Sequence, residues 1–380
     1  MKLKYIKLST DFVLLFLTNF CLFAQIPMEK VLNRITIASK NGTRGLVDTI
    51  GFAHTEEQMN FIGKLCEKLE KENIIKNQKK YNLSEQTGII AGVSPHDDYI
   101  ISGRVYTNVI RFIKAKTIVL IGNSHWSQTF GVHDKLIFGN FKNWTGPYSP
   151  VKVSPLRDEI IKILPEESFI VKNKIIETEH SLEALIPFLQ YYNKNFEIIP
   201  ILIPVMTWES MNKLGRELSS AFKNIITGKN LKLGTDIAFL ISTDGVHYGD
   251  YGWSYYGYYP FGTDAEGYIK ATKQDHELIA DFLTGQLKSE KIHKFFSKCV
   301  NQKNVYEYKI TWCGRFSVSF GLNFLSILMK DLNRKPLNGF LLRYGTSIAF
   351  PTLPVEKFGL GLTGPTNLHH FVSHVAIGYK

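Results

Sequence analysis

The sequence is poor in cysteine and lacks the common signatures of phosphate cradles and hydrolytic nucleophiles. Four cysteines stand in 380 residues, Cys21, Cys66, Cys299 and Cys313, too few for a disulfide-stapled scaffold. One bridge, Cys66 to Cys299, is open to an exported chain. No G-x-x-x-x-G-K-[ST] loop occurs, and no strand-to-helix turn carries G-x-G-x-x-G, so P-loop and dinucleotide sites are set aside. Ser94 and Ser242 sit near histidines, but without a G-x-S-x-G elbow neither is presented as a hydrolase nucleophile. H-E-x-x-H and C-x-x-C are missing as well, which removes the familiar zinc-protease and dithiol motifs. There is no internal repeat, low-complexity run or linker, and one folded domain is expected.

The apolar run near the start, Phe12–Phe23, is too short for a membrane span, which needs about 20 apolar residues. It follows Lys2, Lys4 and Lys7 and ends in Leu22-Phe23-Ala24-Gln25. A basic start, a short apolar core and a small residue before a polar one predict a cleaved signal peptide over residues 1–24. The chain is therefore expected to be secreted or periplasmic, with no stable membrane span after cleavage. Thr18-Asn19-Phe20 lacks the small residues that precede a lipidated cysteine. Lysine and arginine outnumber acids, 45 to 34. The lysines are scattered, however, with one short cluster at Lys76-Asn77-Gln78-Lys79-Lys80, and no basic stripe interleaved with aromatics suggests nucleic acid.

What is present is an alternation of apolar strands and amphipathic helices. Residues 25–87 read as a lead-in and a helix over Glu56–Glu72, with residues 88–380 as the α/β domain. Ile89, Ile90 and Val93 form a buried strand that Ser94-Pro95 ends, since proline has no N–H for a ladder. A helix follows with Val105, Val109, Ile110 and Ile113 on one face. Thr117–Gly122, Ile198–Val205 and Ile237–Ser242 are further buried strands, and the prolines of the second suggest an irregular sheet position. Glu179–Glu183 begins a helix that Pro187 must kink or confine to one side. Asp264–Leu287 reads as helical, Cys313-Gly314 opens the long apolar helix Phe316–Met329, and Phe340–Tyr344 and Val372–Tyr379 are closing strands. The pattern predicts an α/β fold, a single-domain mixed sheet flanked by helices.

Three loops share one design, an apolar strand that runs into histidine: Val93 to His96, Ile121 to His125, and Ser242 to Asp244 and His247. Strand ends at one sheet edge lie near each other, which is where open α/β sheets hold ligands. Imidazole, carboxylate and thiolate at one focus suit a transition metal. Cys313, just before a helix, would have its thiolate favoured by the helix dipole. His180 reads either as a residue of the helix start or as a substrate-orienting group at the same edge. The aromatic loop Trp253–Phe261 could line a pocket or simply pack as a lid.

In order along the chain stand S-P-H-D-D-Y-I-I-S-G, I-G-N-S-H, W-T-G-P, E-H-S-L-E-A-L-I-P-F-L-Q, I-P-I-L, S-T-D-G-V-H-Y-G, W-C-G-R, Y-G-T-S and V-A-I-G-Y. This series, from Gly88 to Tyr379, resembles the Memo-like family (AmmeMemoRadiSam system protein B), whose fold is similar to the class III extradiol dioxygenases (LigB-like). The resemblance implies one iron or copper ion held by His96, His125 and Cys313. It places His180, Asp244 and His247 as the other polar residues of the pocket, to orient substrate or dioxygen and move protons. Redox chemistry on a small-molecule or peptide ligand is implied, of unknown substrate. The alternative is a non-catalytic module that captures a peptide or copper ion in the same cleft; a degenerate member without metal is the third reading. P-H-D-D-Y stands where the family has P-H-A-G-Y, so Asp97 and Asp98 are expected to charge the surroundings of His96. T-G-P-Y replaces the usual T-P-x-G, and the export signal is unusual beside mainly cytosolic relatives.

Overall fold

At the centre four strands run parallel, and their sequences explain why. β1 (Ala91–Ser94), β2 (Thr117–Asn123), β3 (Glu197–Ile203) and β4 (Ile237–Ser242) lie in the order β3-β2-β4-β1 in this computed structural model. Apart from Glu197 every one of their residues is buried, as expected of parallel strands covered on both faces. Among the described residues two further long strands complete a mixed sheet. β5 (Asn338–Thr346) pairs antiparallel with β6 (Phe371–Tyr379), and β6 pairs antiparallel with β1.

The structure describes residues 39–250 and 257–380, together with Met28, Lys30 and Val31. The signal segment 1–24 and the part of the aromatic loop from Trp253 to Tyr256 lie outside the described residues. The chain divides between Ile35 and Thr36, and the sheet with its flanking helices belongs to the unit Thr36–Lys380.

Helices cover the sheet on both sides. Neighbouring residues of a strand point to opposite faces. Leu240 packs towards Gly92 and the helix α2 (Tyr99–Ile110), whose Val109 would meet a Cβ built on Gly92 at 2.7 Å. Ile241 packs on the other face against Gly321 of α4 (Arg315–Asp331), where a Cβ would come within 2.7 Å of its side chain. Behind these lie α1 (Glu56–Tyr81) against α2, and α3 (Trp208–Gly228) against α4. Thr55 and Gln58 form a capping box at the start of α1. Among the described residues no helix is long and apolar enough to cross a membrane.

Several local expectations shift. Glu179 and His180 follow the short helix Asn173–Thr178 rather than open one: a 3-10 turn at Glu183–Leu185 leads into the helix Ile186–Tyr192, with Pro187 in its first turn, where its missing N–H costs nothing. Pro200 sits within β3 in a gap between side partners, because Val151–Val153 pairs only up to Ile198 and Leu136–Phe138 touches only at Leu202. The helix begun at Asp264 ends sooner than its apolar pattern suggests. Ala265–Leu278 passes into a π turn and then the short strand Gly285–Gln286. A helix at Ser289–Cys299 adds to the elements expected. Cys66 and Cys299 are both free and buried, which excludes the bridge between them. A G-x-G-x-x-G string does occur at Gly359–Gly364, but it follows the 3-10 turn Glu356–Phe358 rather than a strand and opens no helix, so it is no dinucleotide cradle.

Candidate metal centre

The carboxyl ends of β1, β2 and β4 are adjacent in the sheet, so the loops after them meet. His96 follows β1, His125 follows β2, and Asp244 and His247 follow β4. Cys313 is carried in from the far side by the loop before α4. Thr243 fixes it there: its Oγ1 accepts from Gly314 N at 3.0 Å and from Trp312 Nε1 at 3.1 Å. The backbone N–H of Cys313 donates to Gly245 O at 2.9 Å. A side chain at Gly314 would collide with Thr243 Oγ1, 2.1 Å from the built Cβ; only glycine lets the two loops close.

The Cys313 sulfur lies 3.3 Å from Nε2 of His96 and 3.3 Å from Nε2 of His125. The second nitrogen of each ring settles its tautomer. His125 Nδ1 faces Glu179 Oε1 at 2.8 Å, an acceptor, so Nδ1 carries the proton. His96 Nδ1 faces Ser242 Oγ at 2.9 Å, and that hydroxyl already donates to Ser181 O at 2.6 Å. It can therefore only accept, and His96 too is protonated at Nδ1. Nε2 of both rings is turned to one sulfur. Two imidazole nitrogens and a sulfur converging this way fit a cation. Bonds of the usual length at tetrahedral angles would set ligand nitrogen and sulfur about 3.6 Å apart, close to the spacing observed.

Electrostatics sort the rings. Burial, reinforced by the neighbouring histidines, pushes His96 well below its ordinary value. Burial works the same way on His125, but the Glu179 carboxylate and Cys313 outweigh it and raise that ring well above the ordinary value. Burial and then Asp97 push the Asp244 carboxyl up to about 7.

The other expected pocket residues come to the same place. Asp244 Oδ1 accepts from His96 N at 2.9 Å, and its Oδ2 lies 3.3 Å from His96 Nε2. His180 stacks on His125, with ring centroids 4.7 Å apart and planes 10° apart, and meets His96 edge-on at 5.5 Å. His247, Asp244 and Cys313 form a second group able to hold an ion, and His125, Glu179 and His180 a third. All six expected residues line one cavity of about 300 Å³.

Other residues belong here without having been singled out. Glu179 holds His125 by ring and by backbone, with Oε2 accepting from His125 N at 2.7 Å. Its position beside His180 in E-H-S-L-E was the available signal. The lead-in is part of the wall, through Asp48 and Phe52. It is tied down by Arg44, whose buried guanidinium meets Glu183 Oε2 at 2.5 Å, while Glu183 accepts from the backbone N–H of Val47 and Asp48. Asp97 and Asp98 do not act on the His96 ring as expected. Asp97 Oδ2 pairs with His374 Nε2 at 2.7 Å, and Asp98 accepts from the backbone N–H of Thr363 at 2.6 Å. Both carboxylates are engaged by these partners, and burial, then the neighbouring histidines, governs His96.

The family model described as "Memo-like protein" matches residues 53–350. A MEMO1 family protein of Pyrococcus abyssi is 30% identical over 210 residues, 53% of this chain and 66% of that protein. One from Caldivirga maquilingensis is 27% identical over 191 residues, 45% of this chain and 62% of its own length. One from Methanosarcina barkeri is 30% identical over 178 residues, 43% and 56% respectively. The chain thus spans less than two thirds of the length of these curated relatives.

Proposed function

The chain belongs to the Memo-like family, and from that premise we propose that it is an exported, metal-dependent redox enzyme of LigB-like, dioxygenase-like fold. One iron or copper ion would be held by Nε2 of His96, Nε2 of His125 and the sulfur of Cys313. The observation that carries this reading is the convergence of two Nδ1-protonated imidazoles on one thiol. When bound, such an ion supplies a redox-active centre with coordination positions open to substrate or dioxygen.

The protein's own residues supply the rest. Glu179 orients His125 and, by accepting the hydrogen bond from its Nδ1–H, makes Nε2 a better donor. Ser242 does the same for His96. Asp244, held near His96 with a raised pKa, is placed to give up or take a proton at its Oδ2 near neutral pH. His180, stacked on His125, and His247, grouped with Asp244 and Cys313, would orient the ligand. Phe52 and Tyr258 narrow the apolar wall of the cavity and exclude water from it.

The test is elemental analysis of the full chain purified with and without air, beside His96→Ala and Cys313→Ser. About one iron or copper per wild-type chain, lost in both variants, supports the reading. Equal and negligible metal in all three ends it. Export rests on the sequence of residues 1–24 alone; the intact mass of the secreted or periplasmic protein tests it, with cleavage after Ala24 expected.

The second reading is a binding module that captures a peptide or copper ion without turnover. It draws on the aromatic and apolar lining of the same cavity. Ligand binding that survives His125→Ala combined with Cys313→Ser would favour it over the enzyme.

A further inference from the structure

The charged groups that line the cavity are not equally provided for. Every carboxylate there already has donors. Asp48 Oδ1 accepts from the backbone N–H of Ile50 at 2.7 Å and of Gly51 at 2.8 Å. Asp97 is paired with His374, Asp98 takes both the N–H and the hydroxyl of Thr363, and Asp244 accepts from His96 N.

Arg315 is the exception. It is the first residue of α4 and lines the cavity two residues from Cys313. Its Nη1 donates to Trp312 O at 2.8 Å and lies 3.5 Å from Cys313 O. Its Nε is buried without a hydrogen-bond partner, and among the described residues no ion pair to a carboxylate engages the guanidinium, whose remaining nitrogen is Nη2. The fork is nevertheless held in place. Its Cζ lies 3.4 Å over the Tyr308 ring and 5.4 Å from that of Phe316, and cations over aromatic faces are attracted to them. A planar, permanently charged group, rigidly mounted and without a counter-ion, is built for a planar anion.

From this we infer that the cavity takes a small planar organic carboxylate, its carboxylate held by Arg315 and its body lying among Phe52, Tyr248 and Tyr258. The size follows from the cavity, whose roughly 300 Å³ is at the low end for ligand sites. The inference deepens the proposed function, since it rests on the reading of this cavity as the ligand site. It does not rest on the ion, because Arg315 ligates nothing. Arg315 is thus the specificity-determining residue for charge, while the histidines and Cys313 face the reacting end of the ligand.

The test is calorimetric titration of the full chain with benzoate and with its neutral isostere benzamide. Wild type should prefer benzoate by roughly 10- to 100-fold, the range of a charge-assisted hydrogen bond. Arg315→Gln should bind the two alike, and Arg315→Lys should keep only part of the preference, since it retains the charge and loses the fork. Cys313→Ser should still prefer benzoate over benzamide, whatever its absolute affinity for either. No preference in wild type, whether both probes bind or neither does, overturns the inference, even if Arg315→Gln fails to fold. So does a preference that survives Arg315→Gln. A preference lost in Cys313→Ser and kept in Arg315→Gln would place the carboxylate on the ion, overturning the inference while leaving the metal reading in force. Absence of metal in wild type with an Arg315-dependent preference would do the reverse.

Discussion

Glu179 grips His125 at two points: one carboxylate oxygen takes the ring Nδ1–H at 2.8 Å and the other the backbone N–H at 2.7 Å. The ring therefore cannot rotate without breaking a charge-assisted bond, and its Nε2 stays turned towards Cys313. Glu179→Gln keeps the shape and removes the charge. The expected outcome is a chain that folds normally and binds its metal roughly 10- to 100-fold more weakly, as for other carboxylates behind ligand histidines. Competition with a chelator of known affinity measures this, and unchanged affinity would leave Glu179 with a purely structural role.

A second acidic residue does structural work far from the centre. Glu70, 1% exposed, binds Arg104 at 2.7 Å and Arg343 at 2.9 Å. It thereby joins α1 to α2 and to β5. Both guanidiniums also lie over Phe350, at 4.2 and 4.6 Å, so they cannot simply swing into solvent. Glu70→Ala leaves two like charges side by side without their counter-ion, at a cost of about 3 kcal/mol. Urea denaturation measures it, and metal content per folded chain should not change.

How much of this was legible in the sequence follows from how each contact is encoded. The strands β1, β2 and β4 announce themselves as apolar runs, and the histidines just past their ends point to one sheet edge. Family likeness added Cys313, which no local pattern ties to His96, 217 residues away. The support around the centre was harder to see. Arg44 and Glu183 lie 139 residues apart, and nothing near Arg44 marks it as buried. Asp97 and Asp98, adjacent to His96, suggested a charged neighbourhood. The turn into α2 sends them instead to His374 and Thr363, which only the antiparallel return of β6 and the loop before it bring near. Glu179 was hidden because a glutamate before an apolar helical face reads as a first-turn residue, and that helix starts seven residues later at Ile186.

Gly249 gives a test of the cavity wall. Its φ is +137°, and a Cβ there would lie 1.9 Å from the carbonyl oxygen of His369. The obstacle is backbone, so no side chain can move aside. Gly249 also exchanges two hydrogen bonds of 2.8 Å with Tyr258, which closes one side of the cavity. Gly249→Ala should destabilise the fold by about 3 kcal/mol or more, the strained φ adding to the collision. Gly228, at the end of α3, has open space around it. Gly228→Ala should stabilise by about 0.5–1 kcal/mol. Thermal denaturation of the two variants side by side checks both signs.

The last test is of pH. Asp275 is 2% exposed and accepts from the Tyr344 hydroxyl at 2.8 Å. Burial, only partly offset by hydrogen bonds from Tyr344 and Ser373, pushes its carboxyl up to about 7, against about 3.9 in an unfolded chain. Below about pH 4 both states hold the proton and Asp275 costs nothing. Between about pH 4 and about pH 7 the unfolded chain has released it while the folded chain keeps it. The unfolded state then binds fewer protons, so stability falls as pH rises through that window. Above it both states are ionised and the loss is complete, on the order of 4 kcal/mol. Asp275→Asn has no proton to release. Its stability relative to wild type, measured by urea denaturation, should therefore climb from pH 4 to pH 7 and then level off. A difference that stays flat across the window would mean that Asp275 ionises in the folded protein as it does in water.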